Sequence, residues 1–324
     1  MSEDIVCLVV IAFNSEKTIK STLASIARQR IQPPYSLTVI VIDDGSTDST
    51  RCLASSSLHE FNLRGKVEST IVNRGRGYAR NLGVELSRES KFIGFVDSDI
   101  VLSDDWVSRC LNALLQVRTR QGVGGVAIPD GDIEWISRKY ALALKVTNHT
   151  DVLTGSNSLF RTELFEHISF RIENREGEDI LLLRDARSSG FKDFYRINEL
   201  IVKHQGSKTF YGFIIWMLRS GIGATKIWNW FHPRLPDLAF LIFFFSTLLA
   251  VALLLTTKVY FISLVPFILL IGASQLHLIK KFNFFRSDKK AWVRALFVNA
   301  IFLGFYMLGR LFGILVIKSW TKSA

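Results

Sequence analysis

The chain has 324 residues, 48% of them hydrophobic, and a formal net charge of +11, enough for one sizeable globular domain together with membrane helices. Much of the positive charge flanks apolar segments near the C-terminus and no nucleic-acid recognition motif occurs, so the basic balance points to anionic membrane lipid as partner and away from nucleic acid. The three cysteines, Cys7, Cys52 and Cys110, are scattered and odd in number, which argues against a disulfide framework and fits reduced thiols in a cytosolic domain.

Residues 6–11 and 37–42 are continuous apolar, β-branched runs of the length expected for strands covered on both faces. Each ends in a polar loop, Ala12-Phe13-Asn14-Ser15 and Asp43-Asp44-Gly45-Ser46-Thr47-Asp48, and each loop leads into a helix-like stretch, the first over 16–28. Strand, loop, helix, strand is the βαβ rhythm, which predicts a mainly parallel sheet with its ligand crevice outside the carboxyl ends of the strands. A third strand is predicted at 67–72, followed by Asn73-Arg74-Gly75-Arg76-Gly77-Tyr78-Ala79-Arg80-Asn81-Leu82-Gly83 turning into a helix. Its glycines permit close approach of a phosphate, and Arg74, Arg76 and Arg80 bring positive charge to a helix N-terminus. It is not a dinucleotide fingerprint, because Gly75-x-Gly77-x-x-Arg80 lacks the third glycine and does not follow the first strand.

The fourth run, Phe92-Ile93-Gly94-Phe95-Val96, ends at Asp97-Ser98-Asp99. Two carboxylates one residue apart, where a buried strand runs out into a loop, form a hard oxygen site for Mg²⁺ or Mn²⁺ that can grip a diphosphate; the bland alternative is a solvated turn. Further on, Glu178-Asp179 opens a helix-like stretch ending at a glycine C-cap, Gly190, where acidic residues in the first turn also serve simply to offset the helix dipole. His204 follows the strand-like Leu200-Ile201-Val202, and the other histidines share no ligand spacing.

Taken together these stretches resemble the family 2 glycosyltransferases, inverting enzymes with the GT-A fold. The matching segments are Val9-Val10-Ile11-Ala12-Phe13-Asn14, Val41-Ile42-Asp43-Asp44-Gly45-Ser46-Thr47-Asp48, 73–83, Phe95-Val96-Asp97-Ser98-Asp99, Thr154-Gly155-Ser156-Asn157 and Gly177-Glu178-Asp179, in the family's order over roughly the first two thirds of the chain. The resemblance implies an α/β domain, Rossmann-like with a mixed, mainly parallel sheet, over residues 1–206. It implies that Phe13 stacks on the nucleotide base, with a core aromatic as the alternative, beside Asn14 in the nucleotide-sugar loop. Asp43 or Asp44 would accept hydrogen bonds from base or ribose. Asp99 would hold the metal, with Asp97 on ribose or metal and His204 as a further metal ligand or a structural histidine. Arg80 would bind the diphosphate or brace Asp97, unless it is an ordinary helix-surface cation. Asp179 takes the place of the general base, which an inverting transfer needs near the acceptor hydroxyl. Gly155, Asn157 and Glu178 fall on the acceptor side. Glu176 and Glu178 crowd Asp179 with like charge, whereas the helix terminus opposes that effect.

Composition changes after about residue 206. Residues 207–236 interleave aromatics with Arg219, Lys226 and Arg234, which suits helices lying in the headgroup layer, a core helix being the competing reading. Three membrane spans are expected over 237–320, at about 238–256, 259–279 and 294–317. The third contains Arg310, whose insertion penalty the surrounding Leu, Ile, Val and Phe outweigh. Basic residues between the second and third spans (Lys280, Lys281, Arg286, Lys289, Lys290, Arg294), against Lys258 alone between the first and second, place the N-terminal domain in the cytosol of a multi-pass cell-membrane protein. No cleavable signal precedes the first strand.

The expectation is therefore a membrane-anchored, metal-dependent inverting glycosyltransferase moving sugar from a nucleotide-diphosphate sugar to a polyprenyl phosphate or lipid-linked saccharide. Processive relatives carry Gln-x-x-Arg-Trp near the membrane entry; the corresponding stretch here reads His204-Gln205-Gly206-Ser207-Lys208, which argues for one sugar per encounter. The alternatives are transfer to a cell-surface polysaccharide precursor, a membrane-bound sugar nucleotidyltransferase, which also uses acidic metal sites on α/β sheets, and a noncatalytic transporter or scaffold that binds sugar nucleotides.

Overall fold

The computed structural model describes residues 4–130, 153–173, 177–205, 210–227, 245, 304–310 and 312–313. They fall into two compact units, one carrying the sheet and its helices and one carrying the helices after residue 208.

In the first unit the elements run β1 (Asp4–Ala12), α1 (Ile19–Ala27), β2 (Tyr35–Asp43), α2 (Thr50–Glu60), β3 (Gly65–Ser69), α3 (Arg76–Leu86), β4 (Phe92–Asp97), β5 (Ile100–Val101), α4 (Trp106–Gln116), β6 (Arg120–Pro129), β7 (Asn157–Arg161), α5 (Glu178–Ser188) and β8 (Asp193–His204). A 3₁₀ turn spans Thr162–Glu166. The strands form one sheet ordered β3-β2-β1-β4-β7-β6-β8-β5. Pairs β1–β2, β1–β4, β2–β3 and β6–β8 are parallel, while β7 runs antiparallel to β4 and β6, and β5 to β8. The sheet is thus the mixed, mainly parallel one expected.

The apolar runs become strands because they are buried on both faces. Val6, Leu8 and Val10 of β1 join Ile19, Leu23 and Ile26 of α1, Ala54 and Leu58 of α2, and Trp106, Val107 and Leu114 of α4 in one core layer. Cys7, Val9 and Ile11 point the other way, into a layer with Ala79 of α3, Leu182, Leu183 and Ala186 of α5, and Phe95, Phe160 and Phe170. Alternation along a single strand therefore feeds two cores, the arrangement of a three-layer α/β/α unit.

Two element boundaries differ from expectation. Helix α1 begins at Ile19 rather than 16, because the Ser15 N–H donates to Thr50 Oγ1 at the start of α2 and the Glu16 N–H to Asp48 in the loop before it. Strand β3 ends at Ser69, and Ile71 and Val72, read as strand from their β-branched apolar character, are 98% and 61% exposed in the loop beyond.

In the second unit, α6 (Phe210–Ile227) is helical, and residues 304–310 form a further helical stretch. They cross at two glycines: a Cβ on Gly221 would lie 2.1 Å from the Tyr306 carbonyl oxygen, and one on Gly309 would lie 2.0 Å from that of Leu218. Backbone-to-backbone contact through small residues is how helices associate where the hydrophobic effect supplies no drive. Arg219 and Tyr211 are exposed on α6. The expected spans at 238–256 and 259–279, most of 294–317, and the stretch 228–236 lie outside the described residues. Among the described residues no helix is long and apolar enough to cross a membrane.

Candidate active site

Strand register brings the predicted residues to one edge. Ala12 pairs with Asp43 and Ile11 with Asp97, so the loops after β1, β2 and β4 leave the sheet at one level. The strand order reverses between β2 and β4 on either side of β1, the place where an open α/β sheet leaves a crevice. Antiparallel β7 sets Asn157 against Val96, which delivers the Thr154–Ser156 turn to the same edge, and β8 sets His204 against Ile100, beside the Asp97-Ser98-Asp99 turn.

Asp99 and His204, 105 positions apart, meet there: His204 Nε2 is 2.8 Å from Asp99 Oδ2. Asp99 Oδ1 is buried and has no partner among the described residues. A carboxylate oxygen and an imidazole nitrogen at that spacing match neighbouring ligands on one small divalent cation, whose octahedral edge is about 3 Å for bonds of about 2.1 Å. The donor set therefore fits Mg²⁺ or Mn²⁺ in chemistry and spacing, with further ligands to come from diphosphate oxygens or water. Asp97, expected on ribose or metal, does not complete a trio with Asp99 and His204: among the described residues no three acidic, histidine or cysteine side chains converge as a metal site.

Asp97 is committed elsewhere. Its Oδ1 accepts from Arg80 Nη2 at 3.0 Å, and the Arg80 side chain, 1% exposed, also donates through Nη1 to Glu178 Oε1. Arg80 is therefore no surface cation; it braces Asp97, one of the two expected roles. Burial alone would loosen its proton, but the carboxylates of Asp97, Glu178 and Asp179 more than offset that and raise its pKa above the ordinary arginine value. Glu178, buried, has its charge answered by Arg80, which relieves the like-charge crowding expected around Asp179. Glu176 lies outside the described residues.

Asp179, half-buried in the first turn of α5, accepts from the Gly155 N–H at 3.0 Å through Oδ2 and from the Ile180 N–H at 2.8 Å through Oδ1. Among the described residues each oxygen accepts one N–H, so the carboxylate is oriented and keeps further lone pairs. Gly155 lies on the face of the Arg80 guanidinium, where a Cβ would come within 2.7 Å of Cζ. Asn157 is fully buried and spent internally: Oδ1 accepts from the Gly125 N–H at 2.8 Å and Nδ2 donates to Thr154 Oγ1 at 3.1 Å. It fixes the turn and does not face outward.

Of the residues expected to meet the nucleotide, Phe13 is 45% exposed, which sets aside the core-aromatic alternative. Asn14 joins the loops after β1 and β2, with Oδ1 accepting from the Thr47 N–H at 2.9 Å and its own N–H donating to Ser46 Oγ at 2.9 Å. Asp44 accepts from the Arg74 and Gly75 N–H groups at 2.9 and 2.7 Å and from the Thr70 hydroxyl at 3.2 Å, so it shapes the arginine-rich loop. Asp43 is also buried, and its Oδ1 accepts from the Ser46 N–H at 3.2 Å.

The sequence reading assigned no roles to the polar links that hold these loops. Ser15 Oγ lies 2.7 Å from Ser98 Oγ, and Thr22 Oγ1 donates to the Ser98 carbonyl at 2.8 Å, anchoring the middle of the aspartate turn to α1. Asp48 accepts from the Thr50 and Glu16 N–H groups at 3.0 and 3.2 Å. The Asp48-x-Thr50 spacing, that of an Asx turn, was the available signal; the serine link spans 83 positions and had none.

The model of the family described as Glycosyl transferase family 2 matches residues 7–169. An uncharacterized glycosyltransferase of Haemophilus influenzae is 26% identical over 239 residues, which cover 70% of this chain and 93% of that protein. Poly(ribitol-phosphate) beta-N-acetylglucosaminyltransferase TarS of Staphylococcus aureus is 28% identical over 190 residues, covering 55% of this chain but 32% of TarS, so the match spans about a third of that protein. Among solved structures, the mannosyltransferase PcManGT of Pyrobaculum calidifontis, in complex with GDP-Man and Mn²⁺, superposes with a TM-score of 0.60 at 16% identity over 94% of this chain and 86% of that one, a likeness of fold.

Proposed function

This chain belongs to glycosyl transferase family 2, and from that premise we propose that it moves a sugar, with inversion, from a nucleotide-diphosphate sugar to an acceptor held at the cytosolic face of a membrane. The observation that carries the reading is the meeting of Asp97, Asp99 and His204 with Asp179 along one sheet edge, joined by Arg80 and the Thr154–Ser156 turn. Phe13 and Asp43 take the base and ribose. Asp99 and His204 hold a divalent cation, which when bound offsets the charge developing on the departing diphosphate. Asp179, aimed by two backbone N–H groups, receives the proton of a saccharide hydroxyl as that oxygen attacks the anomeric carbon opposite the diphosphate; a polyprenyl phosphate would attack through an oxygen already ionised and give up no proton.

The relative from Pyrobaculum was solved with a nucleotide sugar and Mn²⁺, and TarS bears the name of a polymer-modifying N-acetylglucosaminyltransferase, which supports the donor class and cation and leaves sugar and acceptor to experiment. The apolar segments after residue 237 support three spans that hold the enzyme beside a polyprenyl phosphate or lipid-linked saccharide. Membranes containing the protein, incubated with labelled sugar nucleotides and Mn²⁺ and then extracted, are expected to place label in the organic phase, with Asp179→Asn abolishing it. Label confined to aqueous polymer would refute the lipid acceptor. Pyrophosphate release in place of nucleoside diphosphate would refute the transferase chemistry.

A further inference from the structure

Helix α1 carries a polar stripe inside the core. Thr22 and Ser25 are fully buried among Ile19, Leu23 and Ile26, and Gln29 follows just past the helix end, a spacing that sets all three on one face. Their partners are backbone groups of a single segment. Thr22 Oγ1 donates to the Ser98 carbonyl at 2.8 Å, and Ser25 Oγ accepts from the Leu102 N–H at 3.1 Å. Gln29 donates through Nε2 to the Ser103 carbonyl at 2.8 Å, while its Oε1 accepts from the Val107 N–H at 2.9 Å. The stripe thus does the work of a neighbouring strand for residues 98–107, where β5 is only two residues long and lies at the edge of the sheet. Apolar side chains at 22 and 25 would fill the same core without the cost of burying hydroxyls, so packing does not account for them.

The adjoining residue, Ser21, reaches the other arm of the site. Its Oγ hydrogen-bonds the side-chain amide of Gln205, the residue after His204, and the Gln205 N–H donates to the Asp99 carbonyl at 2.6 Å. Consecutive residues of one helix therefore hold both members of the Asp99–His204 pair, Asp99 by way of Ser98 and His204 by way of Gln205. We infer that Thr22, Ser21 and Gln205 are positioning residues for the divalent cation: by fixing the two chain segments that carry Asp99 and His204, they set how tightly the pair binds it. The inference rests on the proposed assignment of that pair as cation ligands and concerns what holds the ligands in place. The three side chains bond groups adjoining the pair, so they act through it. Loss of such an outer partner typically weakens metal binding by about 10–100-fold, and Thr22, which works through the residue next to Asp99, belongs at the lower end of that range.

Cation binding tests this without knowledge of the acceptor. The full-length protein is titrated with Mn²⁺ in the presence of UDP or GDP, whichever raises the thermal midpoint, and binding is read from the electron paramagnetic resonance of the cation with the nucleotide-only signal subtracted. Thr22→Val keeps the shape of the side chain and removes the hydroxyl, whereas Thr22→Ser keeps the hydroxyl and removes the methyl group. The Mn²⁺ Kd is expected to rise about ten-fold in Thr22→Val and to stay within about two-fold of wild type in Thr22→Ser. Gln205→Leu, which approaches from the His204 side, is expected to raise it about ten-fold as well and serves as the second variant should Thr22→Val fold poorly. A merely structural role would lower the thermal midpoint and leave the Kd where it was. Wild-type Kd values in Thr22→Val and Gln205→Leu overturn the inference, and so does Thr22→Ser binding as weakly as Thr22→Val, which would trace the effect to core packing. The pair itself is read separately: Asp99→Asn and His204→Ala binding Mn²⁺ like wild type, or no Mn²⁺ binding by the wild type, would overturn the metal assignment and the positioning role with it, whereas weakened binding in those two variants with no effect at Thr22 or Gln205 would overturn the positioning role alone.

Discussion

Removing the guanidinium of Arg80 is the sharpest available perturbation, because it strips a buried carboxylate of its counter-charge. In Arg80→Met, Glu178, 3% exposed, loses its partner at Oε1 while its Oε2 is already buried without one among the described residues. Asp97, a quarter exposed, rehydrates and contributes little. Breaking a buried pair from one side costs about 3–5 kcal/mol. For a globular unit of this size, with about 2–4 °C of midpoint per kcal/mol, that corresponds to a fall of roughly 6–20 °C in thermal unfolding of the purified chain. The double variant Arg80→Met/Glu178→Met removes the stranded charge as well, and replacing both members of a buried pair by apolar groups is often neutral. It is therefore expected to recover at least half of the loss while remaining inactive. A double variant as unstable as the single one would refute the argument, since the penalty would then arise from packing around the arginine stem; so would a single variant within about 1 kcal/mol of wild type, the size of an exposed ion pair.

Asp99→Asn and His204→Ala should each raise the Mn²⁺ concentration needed for half-maximal transfer, the aspartate variant also losing about 100-fold or more in kcat; a cation requirement unchanged in both would refute their role as the metal pair. Phe13→Ala should weaken nucleotide binding by about 1–3 kcal/mol in a calorimetric titration if the ring carries the base, and unaltered affinity would place the base elsewhere. Native alkylation should label Cys52, which is exposed, and spare Cys7 and Cys110, whose burial raises their thiol pKa; mass spectrometry showing Cys110 modified in folded protein would contradict this. Asp48 loses a little of its charge preference to desolvation, but its hydrogen bonds with Thr50 and Glu16 prevail and lower its pKa below the ordinary 3.8. Its stabilisation is accordingly complete above that value and lost as pH falls through the lower folded-state value, so the stability gap between wild type and Asp48→Asn should be widest at neutral pH and close below pH 3.8.

The strands were legible because burial on both faces leaves an unbroken apolar run, and the residues at their carboxyl ends followed from the βαβ rhythm. The same rule misread Ile71 and Val72, because apolar, β-branched residues without a neighbouring strand to pair with give no local sign of it. Asp179, Asp99 and His204 were singled out through motif and order, and the bracing of Asp97 by Arg80 was among the expected roles. The duties of Asp44 and Asn157 were not legible, since two spent hydrogen-bonding side chains read in one dimension like ligand-facing ones. Pairings such as Arg80 with Glu178, 98 positions apart, exist only once the sheet is assembled.

The edge where β5 meets β8 also fixes when the proposed metal pair can form. Asp99 is synthesised early, but its partner His204 sits at the far end of β8, the strand against which the two-residue β5 is held. Closing a loop of 105 residues carries an entropic penalty of about 4 kcal/mol that local helix–strand units do not incur. During biogenesis the first four strands can dock while the polypeptide is still growing, whereas the proposed Asp99–His204 cation pair must wait for β8. A nascent or clipped domain ending before β8 would lack that pair and would also lose the buried Phe194, Ile197, Leu200 and Val202 from its two core layers.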